Sequence, residues 1–272
     1  MHLNLHEILR NRLGTKGKLI PGFLIGALEK FIRQDELNAV LDATLPSEGS
    51  EFARRVYDYF DLCLDVRGEE NIPDSGRFIF ASNHPLGGLD GIGLIKVLGA
   101  RYGDDNIRFL VNDMLMNIEP LAPVFLPINK YGSQGRRAAR AIREAYESDM
   151  QIVVFPAGLV SRMHPDGTVR DLEWRKSFVK AAVEFERDII PVRFEGLNRM
   201  KFYKTAYRRK KLGIKVNLEQ AMLPAELCAS RGKSFGIVFG KPVGWKSIKR
   251  EMESGTAPSV IANRLRDSIY TL

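Results

Sequence analysis

Phe78–Gly93 reads FIFASNHPLGGLDGIG: an apolar β-type run, Phe78–Ala81, breaks at Asn83-His84-Pro85 and passes through the glycine pair Gly87-Gly88. The segment Gly91–Leu98 that follows has the composition of a helix. Asp90 follows His84 by six residues. Six residues of helix turn about 600°, which leaves two side chains about 120° apart, and on a strand they sit roughly 20 Å apart. Regular structure therefore cannot pair them. A loop can: Pro85 disfavours helix at the residue before it, and Gly87 and Gly88 permit positive φ, so the chain can fold Asp90 back onto the imidazole. A His held by a carboxylate is a poised general base. The competing reading makes His84 a solvated turn residue and Asp90 the N-cap of the next helix. The pattern argues against a dinucleotide loop, because Gly88, Gly91 and Gly93 lack the G-x-G-x-x-G spacing and His84-Pro85 occupies the place where backbone must approach pyrophosphate.

Outward from this stretch, short β-type runs recur at Asp61–Val66, Arg108–Val111, Val124–Ile128, Gln151–Phe155, Ile189–Phe194 and Phe235–Phe239. Between them, Gln134–Glu147 and Trp174–Glu186 have the length of helical crossovers between parallel strands, and a final helix is expected near Pro258–Tyr270. The pattern predicts an α/β fold with a mostly parallel central sheet flanked by helices. Residues 1–59 read as an N-terminal helical subdomain, with Phe23, Leu24, Ala27, Leu28 and Phe31 at three- and four-residue spacing and a second amphipathic run whose cap is expected at Pro46-Ser47. Residues 60–272 form the α/β domain.

The 272 residues, 44% hydrophobic and 27% charged, suit one large domain or one with a small appendage and exclude disorder. Two cysteines, Cys63 and Cys228, are too few for a disulfide framework or a cysteine-rich zinc site, and His2, His6 and His164 lack ligand spacing, so no metal is expected. The start shows no secretory signal pattern. The most apolar run, Leu19–Leu28, is about half the length a membrane span needs. The formal charge of +8 favours anionic partners. It concentrates in Arg199–Lys211 (RMKFYKTAYRRKK) and in a stretch carrying Lys130, Arg136, Arg137, Arg140 and Arg143. The aromatics Phe202, Tyr203 and Tyr207 of the first suit apolar contact with a membrane. No nucleic-acid-binding signature accompanies them, and nucleic acid is not expected as a partner.

Three further segments end strands. FLPINKYGSQGRRAAR (residues 125–140) runs into a basic loop suited to a phosphate. VVFPAGLVSR (residues 153–162) turns at Pro156 and Gly158 and is expected to expose Ser161 and Arg162. No G-x-S-x-G elbow surrounds any serine, so a serine nucleophile is disfavoured. IIPVRFEGLN (residues 189–198) leads into the basic stretch.

In this order the four segments resemble the glycerolipid acyltransferase superfamily, whose blocks are a His and Asp motif, an arginine-bearing loop, an F-P-E-G block and a proline-containing strand. SNHPLGGLDG with FPAGLVSR looks like the haemolysin-like branch, which includes O-acyltransferases acting on lyso-ornithine and related amino-acid lipids. The similarity covers about residues 60–245. Five residues separate His84 from Asp90 where the commonest motif has four. Ala157 replaces the glutamate credited with binding a glycerol phosphate acceptor, which sets against a phosphatidic-acid-type substrate. Lys130 stands near the usual arginine of the second block.

The resemblance implies an O-acyltransferase, with His84 and Asp90 catalytic and the substrates held by Asn83, Gly87, Gly88, Lys130, Arg136, Arg137, Phe155, Pro156, Gly158, Ser161 and Arg162. It implies a lyso-lipid acceptor, a thioester donor (acyl carrier protein or acyl-CoA) as co-substrate with no other cofactor, and a channel for the acyl chain beside the dyad. An anionic membrane surface is the expected partner, with the protein cytoplasmic and peripherally attached to the inner face of the cell membrane. The alternative of a different class is a non-catalytic lipid-binding or membrane-perturbing protein.

Overall fold

The computed structural model describes residues 2–7, 21–128 and 132–272. Before the sheet come α1 (Gly22–Ile32), α2 (Gln34–Thr44) and α3 (Gly49–Tyr59). There follow β1 (Cys63–Arg67), β2 (Phe78–Ser82), α4 (Leu89–Tyr102), β3 (Ile107–Asn112), β4 (Phe125–Ile128), α5 (Gly132–Glu147) and β5 (Gln151–Val154). The chain continues through β6 (Arg162–Met163), β7 (Val169–Arg170), α6 (Ser177–Glu184), β8 (Asp188–Glu195), α7 (Met200–Lys211) and α8 (Leu223–Cys228). It ends with β9 (Ser234–Phe239), α9 (Trp245–Glu253) and α10 (Pro258–Ile269). The seven strands expected from the sequence form one sheet in the order β1-β9-β8-β2-β5-β3-β4. Within this sheet β8 and β9 pair antiparallel; the other neighbours are parallel.

The sheet separates two apolar layers, and β2 shows how. All five of its residues are buried, as a strand covered on both faces requires. Phe78 and Phe80 point into one core with Phe52, Val56 and Tyr57 of α3 and Leu94 and Leu98 of α4. Ile79 and Ala81, of the opposite parity, point into the other, with Phe178 of α6, Ile248 of α9 and Ile261 and Leu265 of α10. Because successive side chains alternate faces, an uninterrupted apolar run in β2 fills both layers. Burying each such aliphatic or aromatic side chain contributes about 1.5–3 kcal/mol.

Strands β5, β2 and β8 are parallel neighbours, so their C-terminal ends leave the sheet on one edge about 5 Å apart. Asn83-His84, Phe155-Pro156 and Gly196–Asn198 emerge there together. In open α/β sheets this edge is where ligands bind.

Several expectations are corrected here. Ser161 and Arg162 are buried, not exposed, because Arg162 begins the small β6–β7 sheet. That hairpin turns at Pro165-Asp166-Gly167, with Gly167 at φ 83° and its N–H donating to the His164 C=O; Pro-Asp-Gly is a turn sequence that could have been read beforehand. Phe202 and Tyr203 lie in a third apolar cluster with Val160 and Met222, so helix α7 turns its aromatic face inward and cannot offer those rings to a membrane. Ser47 does not cap α3; its hydroxyl bonds back to the Thr44 C=O.

Candidate active site

The loop Asn83–Gly88 brings Asp90 Oδ2 to 3.0 Å from His84 Nδ1. The same oxygen accepts the N–H groups of Leu86 (2.9 Å) and Gly87 (3.2 Å), and Oδ1 accepts that of Gly91 (2.9 Å). Helix α4 begins at Leu89 with Gly88 at its cap, which places Asp90 inside the first turn. The pairing and the helix-start reading thus describe one carboxylate at once: it organises the loop and holds the ring. Gly87 is at φ 78°, and a Cβ there would lie 2.5 Å from Val160 Cγ2, so glycine is needed both for the turn and for the approach of the neighbouring loop.

Burial opposes charge on both partners, yet the pair outweighs it. Burial pulls the His84 pKa down, but the charge and hydrogen bond of Asp90, with the charge of Asp171, leave it above the ordinary imidazole value. Burial pushes Asp90 up, but His84 and the loop N–H groups hold it below the usual carboxylate range. An ionised Asp90 only accepts, so Nδ1 of His84 carries the proton and Nε2 presents its lone pair. Among the described residues Nε2 has no hydrogen-bond partner, and the side chain keeps 18% of its surface exposed. The Phe155 ring lies against the imidazole, centroids 4.2 Å apart and planes tilted by 33°.

The loop's main chain is tied down on several sides. Tyr203 Oη donates to the Pro85 C=O at 2.8 Å, and Asn198 Nδ2 donates to the carbonyls of Pro85 and Leu86 at 3.3 Å. The Asn83 amide clamps β2 to β8, donating to the Phe194 C=O at 3.0 Å and accepting the Phe194 N–H at 2.6 Å. The Ser161 N–H donates to the His84 C=O at 2.8 Å, and Asp171 Oδ1 accepts the His84 N–H at 3.2 Å.

These bonds sort the remaining candidates. Asn83, Ser161 and Arg162 sit at the site, but their polar atoms are engaged with protein. Ser161 Oγ donates to Asp171 (2.5 Å), and Arg162 reaches Glu219 (2.9 Å), which also pairs with Arg209 (2.7 Å). The Gly87 N–H faces Asp90 and is unavailable to an oxyanion, whereas around Gly88 the space is open. Pro156 is buried and its C=O accepts the Arg175 N–H. Gly158, at φ 66°, is exposed, and the Arg175 guanidinium comes so near that a Cβ there would lie 3.1 Å from its Cζ.

Arg136 and Arg137 are exposed at the start of α5. That helix follows β4, three strand positions from β2 and so about 14 Å across the sheet. Lys130 lies outside the described residues. A cavity of about 360 Å³ is lined by Trp245, Lys246, Lys249, Arg250 and Glu253, and one of about 260 Å³ by residues including His164, Arg170 and Asp171. Neither is lined by His84. Among the described residues no helix is long and apolar enough to cross a membrane, and no group of three His, Cys, Asp or Glu side chains could hold a metal ion.

Reasoning from sequence missed Asp171, Arg175, Asn198 and Tyr203. Asp171 lies after the hairpin, where no motif or periodicity marks it, and Arg175 falls within Trp174–Glu186, read only as a helical crossover. Asn198 and Tyr203 sat inside segments already noted for other reasons.

The family model described as Acyltransferase matches residues 7–256. The lyso-glycine lipid O-acyltransferase of Phocaeicola vulgatus is 39% identical over 270 residues, covering 99% of this chain and 95% of that protein. The protein of the same name from Bacteroides thetaiotaomicron is 38% identical over 270 residues, covering 99% and 97%. The crystal structure of the 1-acyl-sn-glycerophosphate acyltransferase PlsC from Thermotoga maritima overlaps 82% of this chain and 78% of that one, with a TM-score of 0.49 and 18% identity, too slight a likeness to carry an inference. A family match spanning most of the sequence and relatives similar from end to end agree with the order of motifs set out above: the chain belongs to the acyltransferase family, within the glycerolipid acyltransferase superfamily, and is an O-acyltransferase.

Proposed function

We propose that the protein moves a fatty acyl group from a thioester donor, acyl carrier protein or acyl-CoA, to the hydroxyl of a lyso-amino-acid lipid. The observation that carries this reading is the open Nε2 of His84 opposite an Nδ1 fixed by Asp90. Nε2 takes the hydroxyl proton as the oxygen attacks the thioester carbonyl. The tetrahedral intermediate then collapses, the C–S bond breaks, and the imidazolium returns its proton to the departing thiolate. Asp90 orients the ring and stabilises the imidazolium. The Gly88 N–H is the candidate oxyanion donor. No covalent acyl-enzyme and no resident cofactor enters this scheme.

Two observations support an amino-acid lipid as acceptor. The two relatives are lyso-glycine lipid O-acyltransferases, and Ala157 and Arg175 flank Gly158 in place of an acidic side chain. An amino acid acylated on nitrogen keeps a carboxylate, and a guanidinium suits it. Ornithine and glycine lipids share that carboxylate, and the assay below separates them.

The acceptor resides in a bilayer, which calls for attachment to its surface. Lys201, Lys204, Arg208, Lys210 and Lys211 are exposed on α7, and the following turn presents Leu212 (75% exposed), Ile214 and Val216 (67%). Each basic residue at an anionic leaflet is worth about 1 kcal/mol. The apolar turn, rather than the buried aromatics of α7, supplies the contact with lipid.

The deciding assay offers purified protein a thioester donor and a panel of lyso-lipids, including lyso-glycine, lyso-ornithine and lysophosphatidic acid, and identifies products by mass. Diacylated amino-acid lipid is the expected product. Acylation of lysophosphatidic acid alone overturns the acceptor assignment, and vesicle leakage without turnover supports the membrane-perturbing alternative.

A further inference from the structure

Asp171 belongs to none of the sequence motifs, yet its carboxylate is 1% exposed at the heart of the site. A carboxylate taken from water costs several kcal/mol unless donors replace its hydration. Here they do. Oδ1 accepts Ser161 Oγ–H (2.5 Å) and the His84 N–H (3.2 Å), Oδ2 accepts the Trp174 Nε1–H (2.8 Å), and the Asp171 N–H donates to Tyr270 Oη (2.8 Å). The indole and the amide only donate, so each oxygen of Asp171 is met by a group that needs an acceptor.

The consequence falls on His84. Its N–H ends on Asp171 and its C=O on the N–H of Ser161, itself bonded to Asp171 through its side chain. We infer that Asp171 is a positioning residue for acyl transfer, which locks the main chain of His84 while Asp90 holds the ring, and sets a second negative charge beside the imidazolium that forms as the hydroxyl is deprotonated. This rests on the assignment of His84 as base. The charged groups acting on the imidazole are Asp90 and Asp171, which favour its protonation, and Arg162, which opposes it; the Tyr203 hydroxyl on the Pro85 C=O adds no charge.

The test measures acyl transfer against pH, with thermal unfolding alongside, for the full chain and for Asp171→Asn, Ser161→Ala and His84→Ala. Asp171→Asn keeps the shape but turns a donor toward donors and removes the charge. The expected result is a kcat lower on the order of 10²-fold, the loss that accompanies a small misplacement of a reacting group, with KM little changed and the acid limb of the pH profile displaced to lower pH. Ser161→Ala, which keeps the carboxylate, loses less. Wild-type kcat in Asp171→Asn, or a lowered melting midpoint with the pH profile of the folded enzyme unmoved, overturns the proposal. Should Asp171→Asn not fold, Ser161→Ala decides: a lower kcat at constant KM supports it, an unchanged kcat overturns it. Near-normal turnover by His84→Ala overturns the base assignment and this role with it; an inactive His84→Ala beside a fully active Asp171→Asn overturns only the role of Asp171.

Discussion

Asp90 Oδ2 lies 3.0 Å from His84 Nδ1 and accepts two backbone N–H groups of the intervening loop as well. One carboxylate oxygen therefore builds the loop and fixes the ring's tautomer. Asp90→Asn keeps the size of the side chain but can turn an N–H₂ toward Nδ1, forcing the proton to Nε2, where the proposed mechanism uses the lone pair. A loss in kcat of about 10³–10⁴-fold is expected.

The same variant has a signature in pH. With the neutral imidazole as the proposed base, kcat/KM is expected to fall as pH drops through the His84 pKa, which Asp90 holds above the ordinary value of about 6.5. Asp90→Asn removes the main influence raising it, and the acid limb of its residual activity moves to lower pH. An acid limb that stays in place would show that another group titrates.

Tyr57 packs so closely on helix α4 that a Cβ on Gly93 would sit 2.4 Å from its hydroxyl and 3.0 Å from the Phe194 ring. Tyr57 Oη also donates to the Leu89 C=O, next to Asp90. Gly93→Ala is expected to lower stability by about 1–3 kcal/mol through overpacking, read as a fall in denaturation midpoint, and to reduce kcat by shifting the turn that carries Asp90.

Glu219 is fully buried between Arg162 of β6 and Arg209 of α7. Glu219→Gln leaves two largely buried guanidinium groups without their counter-charge. Removing one partner of a buried pair costs about 3–5 kcal/mol, so a marked drop in melting temperature is expected.

Arg175 lies over the exposed turn at Gly158. With an amino-acid lipid as acceptor, Arg175→Ala is expected to raise the acceptor KM severalfold and leave the donor KM in place. Equal change in both would place the residue outside acceptor binding.

The sheet was legible because its code is local. Short continuous apolar runs such as Phe78–Ala81, bounded by turn residues and alternating with stretches of crossover length, read as covered strands. The His84–Asp90 pairing was one of two readings the residues left open: Pro85, Gly87 and Gly88 permit the chain to fold back, and the order of motifs, not the loop alone, favoured the pairing. Ser161 and Arg162 were misread as exposed because their burial depends on Asp171 and Glu219, which lie 10 and 57 residues away in the chain. The inward turn of Phe202 and Tyr203 likewise depends on a cluster built from Val160 and Met222. A basic run shows where charge concentrates, but not which face of its helix the core will take.

Under the proposed mechanism, His84 Nε2 is the base that activates the acceptor hydroxyl. Steady-state acyl transfer by purified His84→Ala, with a thioester donor and a lyso-amino-acid lipid, is the decisive measurement of that role. A folded protein is expected whose turnover falls at least by the 10²- to 10⁴-fold typical of a positioned general base. Near-normal turnover by that variant would contradict it.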